Sequence, residues 1–544
     1  MTSTRDPRLP DADKAVLPRI IRRHAAENPD KVFAEFLDGE QWTNSQLAFS
    51  VWRRANGLID LGVKRGDYVA VWLPTGKAAL EAWFAINSSG AQFTPLNPAY
   101  KGRILQHALN LAESRVLIAH SELLSELKGL TLPHLKVIIS VGSHDNDLSD
   151  TDYEIVQWDS CISTDDSCPS VVDQLEVWDE IALIFTSGTT GPSKAVRCSY
   201  LHHYTYAENN FPPEVCNEDR FFLYNPIFHA GGTSIVYGAL QRDASLGVAP
   251  RFSTETFWQD AKKLGVTTSY IFAAMANFLR NKQESPEDKN NPIRYGLLAP
   301  MIADSKSFAT RFGMDVYTVY GSTEVPAVIR TELNPSDSRA SGKLVDPDHF
   351  EARIVDEFDG EVPVGSVGQL IVRHARPWSL NSGYKGMPDV TAQAWRNGWF
   401  HTGDGFRQDE EGNFIFVDRI KDAIRRRGEN ISSLEVEEEL NDHPSVHESA
   451  CVAAPSEHGE DEIVAYVVIG EGMSVTFPEL VEHLRARLPY FMVPRYFELV
   501  SEIPRSPSSK IQKHLLRDRG LTDATWDREA AGVVVGRVRL TQDV

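Results

Sequence analysis

The sequence predicts an α/β protein: a large N-terminal domain of layered sheets and helices, followed by a smaller α+β C-terminal domain. Three observations lead there. Continuous apolar runs alternate with helix-period segments through the first half, which is the pattern of strands buried on both faces. Near residue 420 the texture changes from Gly-rich turns to a compact mixture of helices and strands. The chain has 544 residues, 42% hydrophobic and 24% charged, too long for one ordinary domain and too apolar for disorder.

The elements follow in order. Thr43 with Gln46 forms a capping box, and Leu47, Val51, Ala55 and Leu58 then recur at helical spacing. A turn at Lys64-Arg65-Gly66-Asp67 leads into the apolar run Tyr68–Leu73, which Pro74 ends. Runs at Val116–Ala119, Lys136–Val141 and Ile181–Phe185 predict further strands. Residues 143–180, rich in Asp and Ser, predict a surface excursion. Beyond residue 420, Ser432 with Glu435 caps a helix over Leu434–Asn441, and Thr476 with Glu479 caps one carrying Leu480, Leu484 and Leu488. Strands are predicted at Ala450–Ala454 and Ile463–Ile469. These readings divide the chain into residues 1–420, a small domain over 421–520, and a peripheral tail over 521–544.

Charge and targeting exclude several functions. Lys plus Arg is 55 and Asp plus Glu is 76, a net charge of −21. Such a chain repels polyanions at long range, which argues against nucleic acid as a partner. The five cysteines are scattered without a CxxC pair, so free thiols in a reducing compartment are expected. The N-terminus is polar, and no apolar run approaches the roughly 20 residues of a membrane span. A soluble, cytoplasmic protein with no membrane span is the expectation.

Any anionic ligand must then be caught locally. The run Thr186-Ser-Gly-Thr-Thr-Gly-Pro-Ser-Lys194 follows an apolar strand and offers amides, hydroxyls and one ammonium to an anion. It is not a Walker loop, because Pro192 and Ser193 separate Gly191 from Lys194. On composition alone it reads equally well as a Gly/Ser-rich surface turn.

TSGTTGPSK resembles the phosphate-binding signature of the adenylate-forming superfamily, which includes acyl-CoA synthetases, adenylation domains of peptide synthetases, and luciferases. Four further motifs follow in that family's order over roughly residues 17–515: Tyr320-Gly-Ser-Thr-Glu324, Trp399–Asp404, Asp418–Asp422 with Arg427–Asn430, and Pro504–Ile511. The layout looks closest to the carnitine/crotonobetaine-CoA ligase group, on the run DRIKDAIRRRGENIS and the tail Thr525–Ala531.

The resemblance implies a two-step reaction. A carboxylate attacks the α-phosphate of ATP, pyrophosphate leaves, and the CoA thiol then displaces AMP. Thr186, Ser187, Gly188, Thr189, Thr190, Gly191 and Lys194 would hold the departing phosphates. Tyr320, Gly321, Ser322 and Thr323 would contact adenine and the α-phosphate, and Glu324 would bind Mg²⁺. Asp404 would take the ribose hydroxyls, and Arg419 ribose or phosphate. Lys510 would bridge the substrate carboxylate and the α-phosphate.

Lys421 matches the family's hinge, about which the small domain turns to bring Arg427, Gly428 and Glu429 toward the incoming thiol. Phe228, His229, Gly231 and Ala299 would line the acyl pocket, His229 at its gate. The absence of an Asp between Asn225 and Gly232 disfavours an α-amino acid substrate.

Two departures from the family pattern stand out. Ser509 replaces the Gly before the lysine, which implies a repositioned loop and slower adenylation. Gly296-Leu-Leu-Ala-Pro300 replaces the usual Gly-Ala-Pro. Two other readings remain: an adenylate-forming enzyme that passes its acyl group to a carrier-protein thiol or an amine, and a non-catalytic nucleotide-binding relative. Within the acidic total, Arg419–Gly428 and Arg505–Arg519 each carry five basic residues and one acid, on the segments the motifs assign to ATP and CoA.

Overall fold

β-branched and aromatic runs with no polar face can be satisfied only inside a sheet covered on both sides. A computed structural model describes residues 6–143, 152–186, 193–302, 304–419, 424–426, 429–431, 433–456, 459–504, 511 and 513–536. The predicted apolar runs are strands of one seven-stranded sheet. Its order is Glu154–Gln157, Val137–Val141, Val116–His120, Tyr68–Trp72, Gln92–Pro95, Glu180–Thr186 and Lys194–Ser199. All neighbours are parallel except the last pair. A second seven-stranded sheet, from Asp315–Tyr317 at one edge to Gln41–Thr43 at the other, repeats that plan of parallel pairs with one antiparallel edge.

The two sheets share one core. Val69, Ile118 and Ile181 of the first and Phe33, Phe221 and Leu246 of the second belong to the same buried cluster. The helices Lys77–Ser88 and Ala230–Gln241 supply Trp83, Phe84, Ile235 and Tyr237 to it. A four-stranded antiparallel sheet, Phe350–Val355, Gly368–His374, Phe400–Gln408 and Phe414–Arg419, packs its own core beside them.

The capping boxes at Thr43/Gln46 and Thr476/Glu479 form with both reciprocal hydrogen bonds. Ser432 lies outside the described residues, and Glu435 Oε1 accepts from Ser193. The five cysteines form no disulfide. Among the described residues, no helix is long and apolar enough to cross a membrane.

After residue 420, the hairpin Ile424–Arg426 with Glu429–Ile431 precedes a four-stranded sheet. That sheet orders Val446–Pro455, Asp461–Ile469, Tyr496–Leu499 and Trp526–Asp527. Its core takes Ile104 from the large unit. Arg103 adds an ion pair to Asp442 at 3.0 Å.

Two stretches differ from expectation. Residues 143–180 are not only an excursion: Glu154–Gln157 is an edge strand, and Val172 and Val177 are fully buried. The described part of 521–544 is not peripheral. Trp526–Asp527 pairs with Tyr496–Phe497, and Trp526 stacks on Phe477 with centroids 5.2 Å apart. Arg528 is 1% exposed and donates to the carbonyls of Pro494 and Val533.

Candidate active site

Thr186 ends its strand directly opposite Lys194, which begins the next. The predicted phosphate loop therefore closes a β-hairpin. Ser187, Gly188, Thr189, Thr190 and Gly191 lie outside the described residues. The segment 382–385 runs along the strand that Lys194 starts: Lys385 N donates to Ala195 O at 2.9 Å and Arg197 N to Gly383 O at 3.0 Å. That pairing brings Tyr384 under Lys194, whose ammonium sits 4.8 Å from the ring centroid.

Tyr384 also donates its hydroxyl to Glu324 Oε1 at 3.0 Å. Burial, and then the adjacent Glu324 carboxylate, push the Tyr384 phenol well above its ordinary range, so it remains a donor. The Glu324 carbonyl is pinned by the Asn381 side chain at 3.0 Å. Lys194, Tyr384 and Glu324 thus form a chain of contacts between two motifs about 130 residues apart. The sequence reading missed Tyr384; its one signal was an aromatic beside a glycine in a turn-rich stretch.

The loop from Tyr320 to Glu324 turns sharply. Ser322 N donates to Val325 O at 2.8 Å, and a Cβ on Gly321 would meet Ala327 N at 3.0 Å. Thr323 is held within that turn. The Tyr320 hydroxyl donates to Asp404 Oδ2 at 2.6 Å, and its ring meets Phe406 edge-on at 4.6 Å. Asp404 is buried, with Arg419 as its cross-strand partner in the register. The predicted adenine and ribose residues therefore touch.

Phe228 and His229 lead into the helix Ala230–Gln241, and their rings lie 4.6 Å apart. Gly231 faces Tyr270: a Cβ there would come within 3.3 Å of the ring. Ala299 ends a neighbouring strand, paired with Phe272, whose ring is 5.2 Å from that of Tyr270. Gly232 serves the backbone rather than the pocket, since a Cβ would meet Pro226 O at 2.1 Å. Gly232→Ala is expected to destabilise the protein by about 1–3 kcal/mol, read as a lower midpoint of thermal unfolding; an unchanged midpoint would contradict this packing.

His229 Nε2 lies 2.8 Å from Glu429 Oε2. Asn97 Nδ2 reaches the other Glu429 oxygen at 3.4 Å. The hairpin of the small unit therefore stands at the predicted pocket gate. Lys421, Arg427, Gly428 and Lys510 lie outside the described residues.

A family model described as AMP-binding enzyme matches residues 21–384. The chain belongs to the AMP-binding enzyme family. A second model, the C-terminal domain of AMP-binding enzymes, matches residues 435–510.

This AMP-binding enzyme is 26% identical over 495 residues to a crotonobetaine/carnitine–CoA ligase of Citrobacter koseri, covering 88% of this chain and 93% of the relative. Its fold is similar to that of o-succinylbenzoate CoA synthetase from Bacillus subtilis bound to a product analogue. That match has a TM-score of 0.78 and 22% identity, and covers 92% of this chain and 98% of the other. Amide bond synthetase from Marinactinospora thermotolerans matches equally, with a TM-score of 0.78 and 23% identity over 92% and 99%. The chain is an adenylate-forming enzyme, and the expected α/β architecture with a smaller C-terminal unit is the one these relatives share.

Proposed function

We propose that this AMP-binding enzyme is an ATP-dependent carboxylic acid–CoA ligase. The observation that carries the reading is Glu429 on His229. It supports the reading because the hairpin carrying Glu429 meets His229, the residue expected at the gate of the acyl pocket. The curated relatives bear CoA-ligase names.

The first step joins an anionic carboxylate to a polyanion, so its demand is for positive charge and donors. Lys194 and the 186–194 loop would hold the leaving pyrophosphate, and Thr323 the α-phosphate. Tyr320 and Asp404 would fix the nucleoside, with Arg419 beside them. Lys510 would neutralise charge building between carboxylate and phosphorus.

Glu324 suits a hard cation that keeps most of its shell on water and phosphate, since Mg²⁺ needs only one or two protein carboxylates. When bound, that ion would neutralise charge on the phosphate oxygens. Tyr384 would orient the Glu324 carboxylate by its hydroxyl. In the second step the 421–520 unit, turning at Lys421, would withdraw Lys510 and present Arg427, Gly428 and Glu429. CoA thiol attack on the acyl carbonyl then expels AMP.

The acid is found by screening carboxylic acids for pyrophosphate release with ATP and Mg²⁺. With an accepted acid, CoA is expected to yield acyl-CoA and AMP in equal amounts. Pyrophosphate release without acyl-CoA for every accepted acid would overturn CoA as the acceptor and favour a carrier thiol or an amine.

A further inference from the structure

A carboxyl group buried at a domain interface is costly unless donors meet it. Glu435, on the helix Ser433–Asn441 of the small unit, is 9% exposed. Its Oε1 accepts from both the backbone N–H and the hydroxyl of Ser193, each at 2.8 Å. Burial raises the Glu435 carboxyl to about 7, while the two Ser193 bonds pull the other way.

Ser193 is itself buried, its carbonyl 2.9 Å from His107 Nε2. The half-buried Tyr100 lies beside Ser193 and Glu435, its phenol pushed up by burial and then by Glu435 and Glu429. Ser193 lies immediately before Lys194, at the end of the run that reads as a phosphate loop.

One oxygen accepting a backbone N–H and a hydroxyl reproduces the contacts a phosphate oxygen takes in an anion-binding loop. We propose that Glu435 is a phosphate surrogate: with the small unit docked as here, it occupies the Ser193 donors that otherwise serve a nucleotide phosphate. Docking and pyrophosphate binding then exclude each other. The inference rests on the loop reading under Proposed function. Its consequence is that the pose that serves the thiol cannot also hold pyrophosphate, so the adenylation step is not reversed while the thiol attacks. Coupling between two binding events is typically about 5–150-fold in affinity, and here acts by lowering the fraction of competent protein.

The test is titration calorimetry of Mg²⁺-pyrophosphate into the full-length protein. Glu435→Ala, which removes the acceptor, is expected to bind at least about five-fold more tightly than wild type. Glu435→Asp, which draws the carboxyl back by one methylene, is expected to move the same way and covers the case in which the Ala variant does not fold. Glu435→Gln keeps an acceptor oxygen and is expected to stay near wild type. Such a gain of affinity is not what a residue that only stabilises the small unit's own fold gives on removal. Wild-type binding with no tightening in Ala or Asp overturns the surrogate role alone. No pyrophosphate binding by any of the proteins overturns the loop reading together with it.

Discussion

Glu324→Gln is expected to lower acid-dependent pyrophosphate release by about 10²–10³-fold. The substitution keeps the shape of the side chain and an oxygen that can accept from Tyr384, whose hydroxyl lies 3.0 Å from Glu324 Oε1. What it removes is the negative charge that a hard divalent cation requires. Part of the loss is expected to return at high Mg²⁺, because the phosphates supply ligands of their own. Tyr384→Phe separates orientation from charge. It keeps the ring beneath Lys194, 4.8 Å from the ammonium, and removes only the hydroxyl. It is expected to raise the Mg²⁺ concentration for half-maximal rate by about tenfold, as for a hydrogen bond to a charged group, while kcat at saturating Mg²⁺ is largely retained. Pyrophosphate release assayed across a Mg²⁺ series reads both effects. A Glu324→Gln rate near wild type would remove Glu324 from the metal role.

The sheets were legible because their strands are apolar on both faces, so Tyr68–Trp72, Val116–His120, Val137–Val141 and Glu180–Thr186 announce themselves without neighbours. Caps were legible where donor and acceptor lie three residues apart. What failed was longer in range. Glu154–Gln157 is an edge strand with three of its four residues exposed, so no apolar pattern marks it. Trp526 and Arg528 look peripheral in a polar run, yet the first completes a sheet and the second fills a buried socket.

Charge counting had the same limit. Within Arg419–Gly428, Arg426 is 1% exposed, with Nε 2.6 Å from Glu462, and donates to the carbonyls of Phe491 and Val493. Lys513, in the second cationic run, lies 2.6 Å from Glu437. These cations are committed to the small unit's own packing, so the runs are less available to polyphosphates than their composition suggests. The candidate site was legible as motifs, because each motif is local. Tyr384 was not, because its role arises only when residues 382–385 pair with the strand beginning at Lys194.

Lys510→Ala and Glu429→Ala are expected to divide the two half-reactions between them. Lys510 is assigned to the anionic encounter of carboxylate and α-phosphate, where a preorganised cation acts on charge that develops only in the transition state. Its removal is expected to slow adenylation by about 10³-fold or more, and to leave CoA attack on preformed acyl-adenylate near wild type. Glu429 is assigned to the other pose. It links the hairpin Ile424–Arg426/Glu429–Ile431 to His229 at 2.8 Å and to Asn97 at 3.4 Å, contacts available only while the small unit is docked. Glu429→Ala is expected to slow the CoA step by about 10–100-fold, the loss of hydrogen bonds to a charged group, while pyrophosphate release in the first step is kept. The two rates are separable by single turnover, one from ATP and acid, the other from purified acyl-adenylate and CoA. A variant that lost both steps equally would refute the assignment of one pose to each step. A residue that serves a single pose can affect the other only through the docking equilibrium, and weaker docking frees the small unit for adenylation rather than impeding it.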